Sequence, residues 1–105
     1  MDDIFKLHAD ICKTFANPKR LEIINVLRDK ELQASEILKK IKISKANLSQ
    51  HMASLIQKGV VISRREGTRV FYKLSDVKIT KACDLMREVL IKNIEQKNKL
   101  LSGIK

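Results

Sequence analysis

The sequence predicts a mostly α-helical domain with one small β-hairpin (α+β), its elements running α-α-α-α-β-β-α. Three observations lead there. Apolar residues recur at helical spacing in separate stretches, each opened by a capping residue. Only the stretch from Val60 to Leu74 alternates instead, with Gly67 near its middle. And 105 residues without an internal repeat, a low-complexity tract or a linker make one domain, 1–105. A core of that size is often supplemented by a partner subunit.

The first helix is expected over Asp2 to Phe15. Ile4, Leu7, Ile11 and Phe15 form its apolar stripe, with Phe5, His8 and Cys12 beside it. Asp2 and Asp3 lie in the first turn, where the helix dipole favours anions. Asn17-Pro18 starts the next helix: Asn17 can cap, and Pro18 sits where its missing amide costs nothing. It runs to about Arg28, with Leu21, Ile24 and Leu27 inward and Ile23 and Val26 widening the stripe, and Asp29-Lys30 breaks it. Ser35 is the expected cap of a short helix through Lys40 that carries Ile37, Leu38 and Ile41.

After the brief Lys42-Ile43 turn, Ser44 caps a further helix. Leu48, Met52 and Leu55 give it one apolar side, with Ile56 adjacent. Its other side carries Lys45, Ala46, Asn47, Gln50, Ser54 and Gln57, and Lys58-Gly59 ends it. Two helices joined by so short a turn match a helix-turn-helix, here 35–58. In the hairpin that follows, 60–74, Val60 and Ile62 are expected to point inward on the first strand. Val70, Tyr72 and Leu74 do so on the second. A helix-turn-helix followed directly by a hairpin is a winged helix-turn-helix. Ser75-Asp76 is expected to cap the last helix, from about Val77 to Leu101, whose apolar band includes Ile79, Ala82, Leu85, Met86, Val89, Leu90 and Ile94. That band is wider than one small domain covers, so 1–16 and 76–105 are expected to be dimerisation helices, packing on each other and on those of a second chain.

The formal charge is +10 and the pI about 9.9, which suits a polyanion. The charge is concentrated. Between Lys42 and Lys73 the basic residues are Lys42, Lys45, Lys58, Arg64, Arg65, Arg69 and Lys73, against the single acid Glu66. No apolar run approaches the roughly 20 residues of a membrane span, and MDDIFKLHAD, with early acids and no long apolar core, is not expected to act as a secretory signal. The expected setting is cytoplasmic, with reduced thiols and no membrane partner. An enzyme is disfavoured by the absence of a phosphate-binding glycine loop or a nucleophile motif, and by having only two, widely separated histidines, His8 and His51.

These residues also resemble a known family. Phe15-Ala16-Asn17-Pro18-Lys19-Arg20-Leu21-Glu22-Ile23 is similar to the ALANPxRLxIL segment of the arsenic-repressor (ArsR/SmtB) family. Ser44 to Met52 resembles its SxxxxSQHL recognition helix, and Arg64-Arg65-Glu66-Gly67 to Tyr72-Lys73-Leu74 its xRREGRxxxYxL wing. The resemblance spans about residues 4 to 76, in order and in register. It implies a homodimeric repressor that leaves its operator when an inducer binds. The family's inducer sites do not carry over. Where its metal-sensing helix often shows ELCVCDL, this chain has Glu31-Leu32-Gln33-Ala34-Ser35-Glu36-Ile37, without thiols. Of its C-terminal metal site Asp76 remains, with Lys78, Val89 and Lys92 at the other positions. No cofactor is expected.

A helix fits the major groove of B-DNA, where each base pair shows its own donor and acceptor pattern. The expected DNA-binding residues are Ser44, Lys45, Ala46, Asn47, Ser49, Gln50 and His51 on the helix and Arg64, Arg65, Thr68 and Arg69 on the wing. Asn47 and Gln50 suit adenine, while Lys45, Ser44 and Ser49 suit phosphate. His51 suits either phosphate contact or packing. A module that binds protein or RNA is the alternative; it would expose more apolar residues on this helix.

Cys12 and Cys83 fall on the two terminal helices. They can be small buried apolar residues. They can form a thiol switch, bridged by a disulfide or polysulfide, which resembles dithiol members of the family although those place the first thiol elsewhere. Or His8 and Cys12, four apart, can join Cys83 as metal ligands.

Overall fold

In the computed structural model, which describes residues 3–103, the chain folds as α1 (Asp3–Phe15), α2 (Pro18–Val26), β1 (Leu32–Gln33), α3 (Ala34–Lys40), α4 (Lys45–Gln57), β2 (Val61–Glu66), β3 (Arg69–Leu74) and α5 (Lys78–Ser102). The winged helix-turn-helix is as expected, with one addition. The two-residue strand β1 pairs antiparallel with β3, Leu32 opposite Tyr72 and Gln33 opposite Phe71, so the wing is a three-stranded sheet of order β1-β3-β2. Asp2, expected beside Asp3 in the first turn, lies outside the described residues.

Capping explains most boundaries. The Asn17 side chain accepts from the Arg20 amide at 3.2 Å, and Pro18 occupies the first turn of α2. Asp29, at φ +54°, turns the chain out of α2. The Ser44 hydroxyl accepts from the Asn47 amide at 3.1 Å, and Gly59, at φ +74°, closes the far end of α4. Two expected caps differ. At α3 the cap is Gln33, two residues before Ser35: the Glu36 carboxylate reaches back to accept from the Gln33 amide at 2.9 Å. At α5 only Asp76 serves, its Oδ1 accepting from the Lys78 amide at 2.8 Å, while the Ser75 hydroxyl donates instead to the Gly59 carbonyl at 2.6 Å and closes the neck of the wing.

The core joins Ile23, Ile24 and Leu27 of α2 and its end, Ile37 and Ile41 after α3, Leu48, Met52 and Leu55 of α4, Leu32, Val60 and Val61. Burying a side chain such as Leu55, 0% exposed, contributes about 1.5–3 kcal/mol. The inward alternation of β2 is shifted by one residue from expectation. Val60 is buried as the residue that ends the helix, its amide bonded to the Leu55 carbonyl at 2.9 Å. The strand then begins with Val61 inward, which leaves Ile62, opposite Lys73, 44% exposed.

Long helix α5 is anchored near its start. Arg28, just past α2, grips the Asp84 carboxylate with both terminal nitrogens, at 2.6 and 2.7 Å. Beyond Asp84 every residue of α5 is exposed, including Leu85, Met86, Val89, Leu90 and Ile94, and α1 likewise exposes Ile4, Phe5 and Leu7. Together these apolar residues form a wide uncovered surface. Among the described residues no helix is long and apolar enough to cross a membrane.

Candidate nucleic-acid interface

The two faces of α4 are separated cleanly. Leu48, Met52 and Leu55 are at most 2% exposed, which fixes the rotation of the helix. Ser44, Lys45, Ala46, Asn47, Ser49 and Gln50 are therefore all held on the surface. Ser44 spends its acceptor oxygen on the helix cap and keeps its hydroxyl proton to donate.

His51 differs from these. It is half-buried, and its Nδ1 accepts from Arg20 Nε at 3.1 Å. Burial, and secondarily the charge of Arg20, push its pKa below the ordinary histidine value. The ring is thus neutral at pH 7, with its proton on Nε2. Of the two expectations for His51, packing is the one these contacts describe. Arg20 was not among the expected site residues. It also donates to Ser54 Oγ at 3.2 Å and to the Thr14 carbonyl at 3.3 Å.

The wing turns through Gly67-Thr68, with Glu66 opposite Arg69. Gly67 has φ +64°, and a glycine first in a two-residue hairpin loop matches a type II′ turn. Arg65, Thr68 and Arg69 are exposed at this tip. Arg64 is engaged elsewhere. Its Nε and Nη2 contact the Glu31 carboxylate at 2.7 to 3.0 Å, its Nη1 contacts Glu66 at 2.7 Å, and its guanidinium lies 4.3 Å from the centre of the Phe71 ring. Glu31, held by these bonds, has a lowered pKa, and that of Arg64 is raised. Lys58 is likewise ion-paired, with Asp10 of α1. Among the described residues Lys42, Lys45, Arg65, Arg69 and Lys73 make no ion pair, so the positive charge beside the exposed face of α4 is largely unneutralised.

Cys12 and Cys83 lie at a second place. They line one open, mainly apolar groove of about 700 Å³ bounded by α1, α5 and Leu21, together with His8 and Phe15. Cys12 is exposed and Cys83 half-buried, so within one chain the pair is not sealed in a core as small apolar residues would be. Burial raises the pKa of the Cys83 thiol. Among the described residues no three His, Cys, Asp or Glu side chains converge as a metal site. His8, Cys12 and Cys83 share the groove without forming a ligand set within one chain.

Residues 17–63 match the profile of the bacterial regulatory protein, arsR family. The chain is 35% identical over 79 residues to the transcriptional activator HlyU of Vibrio cholerae, covering 75% of this chain and 73% of that protein. It is 35% identical over 71 residues to the arsenical resistance operon repressor of Staphylococcus xylosus, covering 68% of each. The solution structure of the homodimeric winged helix-turn-helix DNA-binding domain Mb0332 of Mycobacterium bovis superposes with a TM-score of 0.80 at 25% identity, over 90% of this chain and 88% of that one. The chain belongs to the ArsR family of bacterial regulatory proteins, and is a transcription regulator rather than an enzyme.

Proposed function

We propose that the chain is a sequence-specific double-stranded DNA-binding repressor that acts as a homodimer on an inverted-repeat operator. The observation that carries this is the outward face of α4, where Lys45, Asn47, Ser49 and Gln50 are all exposed beside the unpaired arginines of the wing. Asn47 and Gln50 are one turn apart on that face, and each amide can pair with an adenine edge. Lys45, Ser44, Ser49, Arg65, Thr68 and Arg69 hold phosphates, which set the register. The apolar surface of α1 and α5 supports a dimer built on those helices, and the similar domain of Mb0332 is homodimeric. A two-fold pair places its reading helices about 34 Å apart, one turn of duplex.

The inducer reading we favour is thiol oxidation at Cys12 and Cys83, supported by their sharing one groove. A hydroperoxide takes two electrons and two protons from the pair. The sulfurs join, and the oxidant leaves as an alcohol and water. A trisulfide dianion instead inserts one sulfur between them and departs as two hydrosulfide ions. Either bridge displaces α1 against α5 and with them the spacing of the reading helices.

Selection of bound sequences from random duplexes, followed by gel shifts with and without peroxide or polysulfide, tests both parts. An inverted repeat with half-sites one turn apart is expected, with release on oxidation that the double substitution Cys12→Ser, Cys83→Ser abolishes. Selection of no common sequence contradicts the operator, and unchanged release in the double variant contradicts the thiols. In a reporter strain, loss of the chain is expected to raise transcription from the selected site; a fall would assign activation.

A further inference from the structure

We infer that Arg20 is a positioning residue that locks the reading helix α4 to α1, acting together with the Asp10–Lys58 ion pair. This inference rests on the DNA-binding reading of α4.

Arg20 starts from a fixed point. Its backbone amide is bonded to the Asn17 cap, so the side chain leaves the first turn of α2 in a set direction. The guanidinium then divides its donors between two helices. One nitrogen takes the Thr14 carbonyl near the end of α1, and the other two take His51 Nδ1 and Ser54 Oγ on α4. His51 and Ser54 are three apart, hence on one side of α4. All three acceptors are neutral, and among the described residues no carboxylate pairs with Arg20. An arginine whose fork is divided in this way fixes distance and angle between two helices. The second link joins Asp10 of α1 to Lys58, at the C-cap of α4. Asp10 and Thr14 are one turn apart on α1, and Thr14 is also bonded back to the Asp10 carbonyl. Cys12 lies between them in the chain. The turn of α1 that carries this thiol is thus joined to α4 at the middle and at the end of the reading helix. A shift of that turn must break both links or drag α4 with it.

A phosphate ligand and a positioning residue differ in what their loss does. Losing a phosphate ligand weakens binding to every sequence and lowers the salt slope by about one. Losing a positioning residue weakens binding to the correct sequence selectively. The test is fluorescence anisotropy of the full chain on its selected duplex and on a scrambled one, across a potassium chloride series. Arg20→Met and Arg20→Lys are each expected to weaken binding to the selected duplex about tenfold, with the salt slope and scrambled-duplex affinity unchanged, since one ammonium cannot span three acceptors. Ser54→Ala and Asp10→Asn, which leave the core untouched, are each expected to cost about threefold in the same selective way. Those two decide the matter should the Arg20 variants not fold. A salt slope lowered by about one for each bound chain, with Arg20→Lys restoring affinity, would overturn the inference in favour of direct phosphate contact. An unchanged ratio between selected and scrambled duplexes in the folded variants would overturn it in favour of a purely structural role. No binding by the wild-type chain would overturn the interface reading itself, and the inference with it.

Discussion

The Arg64 guanidinium holds the Glu31 carboxylate in a paired contact, Nη2 2.7 Å and Nε 2.9 Å from its oxygens, across 33 positions of sequence. An arginine counted with the DNA-contacting charges is thereby a brace between the wing and the segment before β1. Its charge is met by two carboxylates and its plane lies near Phe71. Arg65, the next residue along β2, and Arg69, just across the turn on β3, make no ion pair among the described residues.

This division of labour separates the wing arginines experimentally. Arg65→Ala and Arg69→Ala are each expected to lower the salt slope of DNA binding by about two, one phosphate contact being lost from each chain of the pair. Arg64→Ala is expected to leave the slope nearly unchanged and to speed hydrogen exchange in β2 and β3, because it loosens the sheet instead of removing a phosphate contact. Equal slope changes in all three would return Arg64 to the DNA surface.

On the reading helix the expectation is sequence-dependent. Asn47→Ala is expected to cost about 1–3 kcal/mol at one base pair of each half-site and to relax the preference there, with little effect elsewhere. Repeating the duplex selection with the variant checks this. A uniform loss over all positions would assign Asn47 to phosphate.

Two groups of pKa shifts set the pH dependence of stability. His51 has a lowered pKa in the fold, so the unfolded chain takes up its proton first as pH falls. Its contribution is fully present above the unfolded value near 6.5 and is lost as pH falls through the lower folded value. Glu31 and Asp84 are lowered chiefly by hydrogen bonds from Arg64 and Arg28. Their contributions are present above about 4 and are lost as pH falls through the depressed folded values. Both sites are solvent-facing, which limits their weight. Thermal melts between neutral and acid pH should show a first decline below about 6.5 that His51→Gln removes, then a further one in the carboxylate range. A melting temperature flat from neutrality down to the carboxylate range would contradict the assignment for His51.

For Cys83, burial outweighs the nearby Arg87 and raises the thiol pKa. In a Cys12→Ser background, its alkylation by iodoacetamide is expected to be slow at pH 7 and to rise only above the pH at which an ordinary thiol ionises near 8.5. Rapid labelling at neutral pH would show that Cys83 is the activated partner.

Much of the fold was legible because its signals are local. Asn17-Pro18, Ser44 and Gly59 mark helix ends through bonds or dihedrals within a few residues, and the stripe of Leu48, Met52 and Leu55 fixes which side of α4 faces out. What escaped is long-range. β1 is two residues between two helices, too short to alternate, and exists because β3 offers it an edge. Arg20 falls on the fixed arginine of the ALANPxRLxIL segment, but its partner His51 lies 31 positions later, and nothing nearby along the chain shows what the side chain holds. Arg64 looked like its neighbour Arg65 because Glu31 lies far back in the sequence. The inward face of β2 was misplaced by one residue because Val60 and Val61 are both buried, one by the helix end and one by the strand.

The central claim is that the exposed polar face of α4 and the unpaired wing arginines lie along a duplex in a two-fold pair. It is tested most directly by the affinity of the chain for its selected inverted-repeat duplex as a function of salt. A logarithmic plot that falls steeply and linearly is expected, with two chains bound per duplex, since each neutralised phosphate releases a counterion. A flat plot, or one chain bound per duplex with the same affinity for any sequence, would contradict it.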